Sequence, residues 1–161
     1  VQAIAPVGVT TELYGGLATL PHFNPDHEGP RLPEPVAHLR AQIRAADAVL
    51  LSTPEYAGAL PGSCKNLLDW TVGRRPSRSL NGKPVAWINA APRGAVLAHD
   101  SRRHVLGYVG AVVVEPACVA MPLTREEIGP DGLIVSSDLR RTRAATLDEL
   151  VAVTTTEPAA P

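Results

Sequence analysis

The chain has 161 residues, 45% of them hydrophobic, and a formal net charge of −1. That length supports one core of ordinary size and is too short for two comfortable domains. An ordinary apolar fraction with nearly balanced charge excludes a disordered chain and gives no basis for a nucleic-acid partner.

Cys64 and Cys118 lie far apart and form no metal or Cys-x-x-Cys pattern. They read as two buried thiols in a reducing, cytoplasmic compartment. No stretch approaches membrane-spanning length, the N-terminus has no signal-peptide pattern, and no repeat of solenoid length is present.

In chain order, Val9–Tyr14 is β-branched and alternating, and predicts a strand with one wet face. A loop rich in Pro, Gly, His and Asp follows over 15–35. Residues 35–46 predict an amphipathic helix, with Val36, Leu39, Ile43 and Ala46 inward and Arg40 and Arg44 opposite. Residues 48–53 form a continuous apolar run, the pattern of a strand buried on both faces in a parallel sheet. A helix over Ser63–Val72 is entered after Pro61-Gly62, and a basic loop carrying Arg74, Arg75 and Arg78 follows. Val85–Ala90 reads as the next apolar strand, 96–108 as a helix, Ala111–Val119 as a strand and 138–153 as the last helix. Strands alternating with helices predict an α/β domain over 1–153 with a parallel sheet and right-handed crossovers. The Thr/Pro/Ala-rich residues 154–161 are expected to form an extended or disordered tail.

Two loops stand out because each follows an apolar strand. Pro54, Glu55, Tyr56, Ala57 and Gly58 follow the first, and Ala91, Pro92, Arg93 and Gly94 follow the second. In open parallel sheets, ligands bind beyond the carboxyl ends of the strands. Gly58 lets backbone approach a flat ligand, Tyr56 offers an aromatic face, and turn amides can donate to ring oxygens and nitrogens. A plain turn at Tyr56 and a solvated Arg93 are the bland alternatives. His22, Asp26 and His27 fit no standard metal spacing and read as a solvated loop. Lys65 and Asp69, at i and i+4, read as a helix-surface pair.

The stretch PEYAGALPGSCKNLLDW, residues 54–70, resembles the loop and helix of the NAD(P)H-dependent FMN reductases, a flavodoxin-like family. The family pattern is met at Pro54, Glu55, Tyr56, Pro61, Lys65, Asn66, Asp69 and Trp70. It is broken at Ala57, where the family usually has Asn, and at Cys64, where an aliphatic residue is common. GKPVAWINAAPRG resembles the family's next strand and its glycine-containing flavin loop, and LPHFNPD the segment after its second strand.

The resemblance implies a three-layer sandwich with a parallel sheet in the order 2-1-3-4-5. It implies FMN as cofactor, NAD(P)H as co-substrate, and a quinone, flavin or similar small molecule as electron acceptor. Pro54–Gly58 would then frame one edge of the isoalloxazine and Ala91–Gly94 its other side. Glu55 is expected in a structural role, because hydride transfer to a flavin needs no protein acid. The helix Ser63–Val72 would serve a homodimer or tetramer, with Trp70 in the core or the interface. The family's first strand and phosphate loop are absent, since the sequence opens on what looks like the end of the first helix. The chain is therefore read as part of a longer protein rather than a natural truncation. An FMN-binding electron carrier without its own NAD(P)H oxidation, and a non-catalytic dimerising remnant, are the other readings.

Overall fold

Alternation along two strands organises the fold. The computed structural model describes residues 2–73 and 79–155, so Arg74, Arg75 and Arg78 lie outside the described residues, as do 156–161 of the tail. Strand β1 (Val49–Leu51) pairs in parallel with β2 (Pro84–Asn89), Val49 opposite Val85 and Leu51 opposite Trp87. Successive side chains on a strand point to opposite faces. Val85 and Trp87 accordingly enter one apolar cluster with Val36, Leu39, Leu68, Trp70, Ala98 and Leu106. Ala86 enters a second cluster with Val114, Ala117 and Leu150.

These clusters define the layers. Helices α1 (Glu34–Ala45), α2 (Gly62–Thr71) and α3 (Val96–Tyr108) supply the first cluster, and α4 (Ser137–Thr155) the second. Helices on both faces of a parallel sheet make the three-layer α/β sandwich that the sequence predicts. Burial on both sides explains why β2 reads as an almost unbroken apolar run.

Four expectations need correction. Residues 111–119 do not form one strand: β3 (Val112–Val113) and β4 (Val119–Ala120) both pair with β2, separated by a 3-10 turn over Glu115–Ala117. Pro116 lies inside that turn and has no N–H to give to a ladder. Residues 9–14 form no strand, because no strand among the described residues lies beside them to complete a ladder; Leu13 is 82% exposed. β1 is half-buried rather than buried on both faces, and β2 is its only ladder partner among the described residues. The last helix continues through Thr154 and Thr155, two residues into the expected tail.

Arg40 also departs from the polar face assigned to it. It is 2% exposed, and its Nε donates to Trp70 O at 2.7 Å while Nη2 donates to Val72 O at 3.2 Å. Helix α2 ends there, and carbonyls in a last turn lack intrahelical donors. Glu28 closes the arrangement by accepting from Nη1 at 3.0 Å and from Nη2 at 2.5 Å.

Candidate functional site

The chain leaves β1 into a tight turn. Tyr56 N donates to Ala59 O and Ala59 N to Tyr56 O, both at 3.1 Å. Between them Ala57 has φ 50° and Gly58 φ 69°. Positive φ at both central residues defines a type I′ turn, in which Asn-Gly is the favoured pair. Ala57 therefore stands in a left-handed conformation that costs an L-residue with a Cβ about 1–2 kcal/mol. This gives a physical reason for the Asn that the family pattern carries there. The turn projects into solvent, with Tyr56 66% exposed. The amides of Ala57 and Gly58 have no hydrogen-bond acceptor among the described residues.

The second loop is pinned from beneath by a residue that sequence reasoning missed. Asn89, 5% exposed at the end of β2, accepts from Ala91 N through Oδ1 at 3.0 Å and donates from Nδ2 to Gly94 O at 2.5 Å. Gly94 N also donates to Ala91 O at 3.0 Å, and Gly94 has φ 87°. A polar side chain ending an apolar strand was the signal available in VAWINA.

The two loops meet. Helix α3 begins after Ala95, which sits at φ 45° and offers no side-chain cap. The first four amides of a helix need acceptors from outside it. Glu55 supplies one: its Oε2 accepts from Ala98 N at 3.1 Å, across 43 residues of sequence. Beside it, a Cβ on Gly58 would lie 3.5 Å from Leu97 Cδ1. The two loops at the strand ends are thus joined by a carboxylate on a helix N-terminus, where negative charge is stabilised.

Beneath α3 lies a cationic cluster with no sequence signal. Arg102 is fully buried, stacks 4.4 Å from the Trp87 ring centroid, and bonds His99 Nδ1 through Nη2. Its Nε and Nη1, and His99 Nε2, have no hydrogen-bond partner among the described residues. Burial pulls the Arg102 pKa down to about 10. Burial first, and then the Arg102 charge, push the His99 pKa below its ordinary value.

The remaining pattern residues of α2 do structural work. Asn66 accepts from Phe23 N at 2.8 Å and donates to Pro21 O at 2.9 Å; Trp70 Nε1 donates to the same oxygen at 2.7 Å. The LPHF segment and the KNLLDW helix therefore belong to one packing unit. Trp70 is 0% exposed and edge-on to Phe23 at 5.0 Å, which assigns it to the core and not to an interface. Lys65 pairs with Asp69 at 2.5 Å. Among the described residues no cluster of His, Cys, Asp and Glu could hold a metal, and no helix is long and apolar enough to cross a membrane. A cavity of about 560 Å³ lined by Phe23, Pro25, Glu28, Pro30 and Val72 lies at the far end of α2 from the loops, away from the strand ends.

A parallel α/β sheet with two clasped loops beyond its carboxyl ends has the class architecture of the doubly wound, ligand-binding folds. Within that class the chain belongs to the NADPH-dependent FMN reductase family, whose family model matches residues 1–126. It is 39% identical over 88 residues to an NAD(P)H-dependent FMN reductase of Pseudomonas aeruginosa, a match covering 55% of this chain and 46% of that one. It is 30% identical over 135 residues to a 2-hydroxy-1,4-benzoquinone reductase of a Burkholderia species, covering 83% and 73%. The structure of FerB, a flavoenzyme NAD(P)H:(acceptor) oxidoreductase of Paracoccus denitrificans, superposes with a TM-score of 0.70 at 32% identity, covering 84% of this chain and 78% of that one. The chain spans about half to three quarters of the length of the curated relatives it matches.

Proposed function

We propose that this chain is the ring-binding part of an FMN-dependent oxidoreductase that passes hydride from NAD(P)H through bound FMN to a quinone, flavin or similar small acceptor. The observation that carries the reading is the clasp between the Pro54–Gly58 and Ala91–Gly94 loops, on a chain of this family. Bound FMN would supply the two-electron chemistry, leaving position and polarisation to the protein.

The described residues suit the flat end of such a cofactor. The unpaired amides of Ala57 and Gly58 are donors for ring carbonyl or nitrogen atoms, and the exposed Tyr56 ring gives a planar surface. Pro92 and Arg93 are exposed on the other loop. Glu55 Oε2 accepts from Ala98 N, and in this reading its part is to orient backbone. A cytoplasmic setting is part of the same reading. So is self-association through α2, although Leu68 and Trp70 are spent inside the chain and Leu67 is only half-buried.

The test is spectroscopic. Purified protein is expected to carry or take up FMN with a bound-flavin absorbance band, and NADPH is expected to bleach it anaerobically. A band that NADPH does not bleach would assign an electron carrier instead. Absence of any flavin uptake would overturn the proposal.

A further inference from the structure

We infer that Glu55 is a positioning residue whose carboxylate makes the two loops one unit, so that the ring site forms or opens as a whole. The inference rests on the proposed flavin site for its consequence, but the coupling is a property of the protein alone.

The starting point is a helix that cannot cap itself. The sequence before α3 is Ala90-Ala91-Pro92-Arg93-Gly94-Ala95, with no Ser, Thr, Asp or Asn to serve as N-cap. Ala95 is left-handed at φ 45° and only 6% exposed, so no side chain of its own segment reaches the orphan amides. The acceptor comes from Glu55, one residue before the type I′ turn. One bond therefore fixes the start of α3 and the root of the turn together.

The partners on either side are rigid. The 91–94 loop is tied to β2 by both side-chain atoms of Asn89, so a shift at Ala98 is carried to that loop through only a few residues. On the other loop, the paired Tyr56–Ala59 bonds fix the turn. The Glu55–Ala98 hydrogen bond links one assembly to the other. A charge-assisted bond at a helix N-terminus is among the stronger links available to a surface loop.

The experiment is amide hydrogen exchange on the flavin-free protein, paired with FMN titration. In Glu55→Ala, exchange over residues 54–59 and 91–98 is expected to rise together, roughly tenfold or more, with FMN affinity falling by a similar factor. Glu55→Gln keeps an acceptor oxygen at the same reach and is expected to preserve most of the protection and affinity. Glu55→Asp, one methylene shorter, should resemble Glu55→Ala and provides a milder variant if the alanine protein fails to fold. Faster exchange confined to the start of α3, with 54–59 unchanged, would reduce Glu55 to an ordinary helix cap and overturn the coupling. Equal loss of FMN affinity in Glu55→Gln and Glu55→Ala, with unaltered exchange, would make the carboxylate a flavin contact and also overturn it. Failure of the wild-type protein to bind FMN would refute the proposed function, while the exchange data would still decide the coupling.

Discussion

Asn89 holds Gly94 from below: its Nδ2 donates to the Gly94 carbonyl at 2.5 Å while its Oδ1 accepts from Ala91 N. A buried amide side chain satisfied at both ends fixes a loop more firmly than one bond would. Removing it leaves Ala91 N and Gly94 O without those partners. Asn89→Ala is therefore expected to cost about 1–3 kcal/mol in denaturant unfolding. It should also weaken FMN binding, because the loop loses its anchor. Asn89→Asp keeps the acceptor for Ala91 N but sets a buried carboxylate oxygen against Gly94 O, so its loss should match or exceed that of Asn89→Ala.

A second prediction concerns the other buried arginine with defined partners. Arg40 caps the end of α2 through Trp70 O and Val72 O and pairs with Glu28. Breaking a buried pair by removing one partner typically costs about 3–5 kcal/mol. Glu28→Ala strands a guanidinium that still keeps two carbonyls, and Glu28 is partly exposed, so its cost should fall below that range. Arg40→Ala strands the carbonyls and opens a cavity, so it should fall within or above it. Equal effects from the two variants, read by urea unfolding, would contradict this division.

Much of this fold was legible because the periodicities agree with the layers. Val36, Leu39 and Ile43 repeat at helical spacing and all enter the core, and the apolar runs at 49–51 and 84–89 are strands. The two loops were legible because each follows such a run. What failed depended on partners that local sequence does not encode. Val9–Tyr14 has a strand's alternation, but pairing requires a neighbour. Arg40 sits where helical periodicity assigns it to solvent, yet carbonyls 30 and 32 residues away draw it inside. Glu55 and Asn89 act across loops, and no spacing rule reports a cap supplied from 43 residues away.

The third prediction follows from His99. Burial and the neighbouring Arg102 charge hold its folded pKa below the ordinary histidine value near 6.5. The unfolded chain therefore takes up this proton first as pH falls. The stability tied to neutral His99 is complete above about pH 6.5 and is lost progressively below it, towards the depressed folded pKa. His99→Gln, which can still accept from Arg102, should flatten unfolding free energy against pH over that window. A wild-type profile that stays level from pH 7 to 5 would refute the assignment. Arg102 itself carries two buried nitrogens without a hydrogen-bond partner among the described residues, partly offset by its stacking on Trp87. Arg102→Met should accordingly be neutral or raise stability by about 1 kcal/mol in chemical unfolding.

The last prediction tests the turn that begins the site. Ala57 and Gly58 both carry positive φ, which Asn-Gly meets with less strain than Ala-Gly. Ala57→Asn should stabilise the protein by about 0.5–1 kcal/mol, since Asn tolerates the left-handed region and the side chain at 57 is exposed. Gly58→Val should act in the opposite direction. A Cβ there meets Leu97 Cδ1 at an ordinary 3.5 Å, so space is not the obstacle; the φ of 69° is. A β-branched residue at such a φ is a backbone outlier. The turn should open, and FMN affinity should fall roughly tenfold, about 1.4 kcal/mol, with the global fold retained. Tyr56→Phe should be milder, because the ring remains and the bonds to Ala59 are made by backbone. If Gly58→Val bound FMN as tightly as the parent, the turn would be a connection and the ring would have to rest elsewhere.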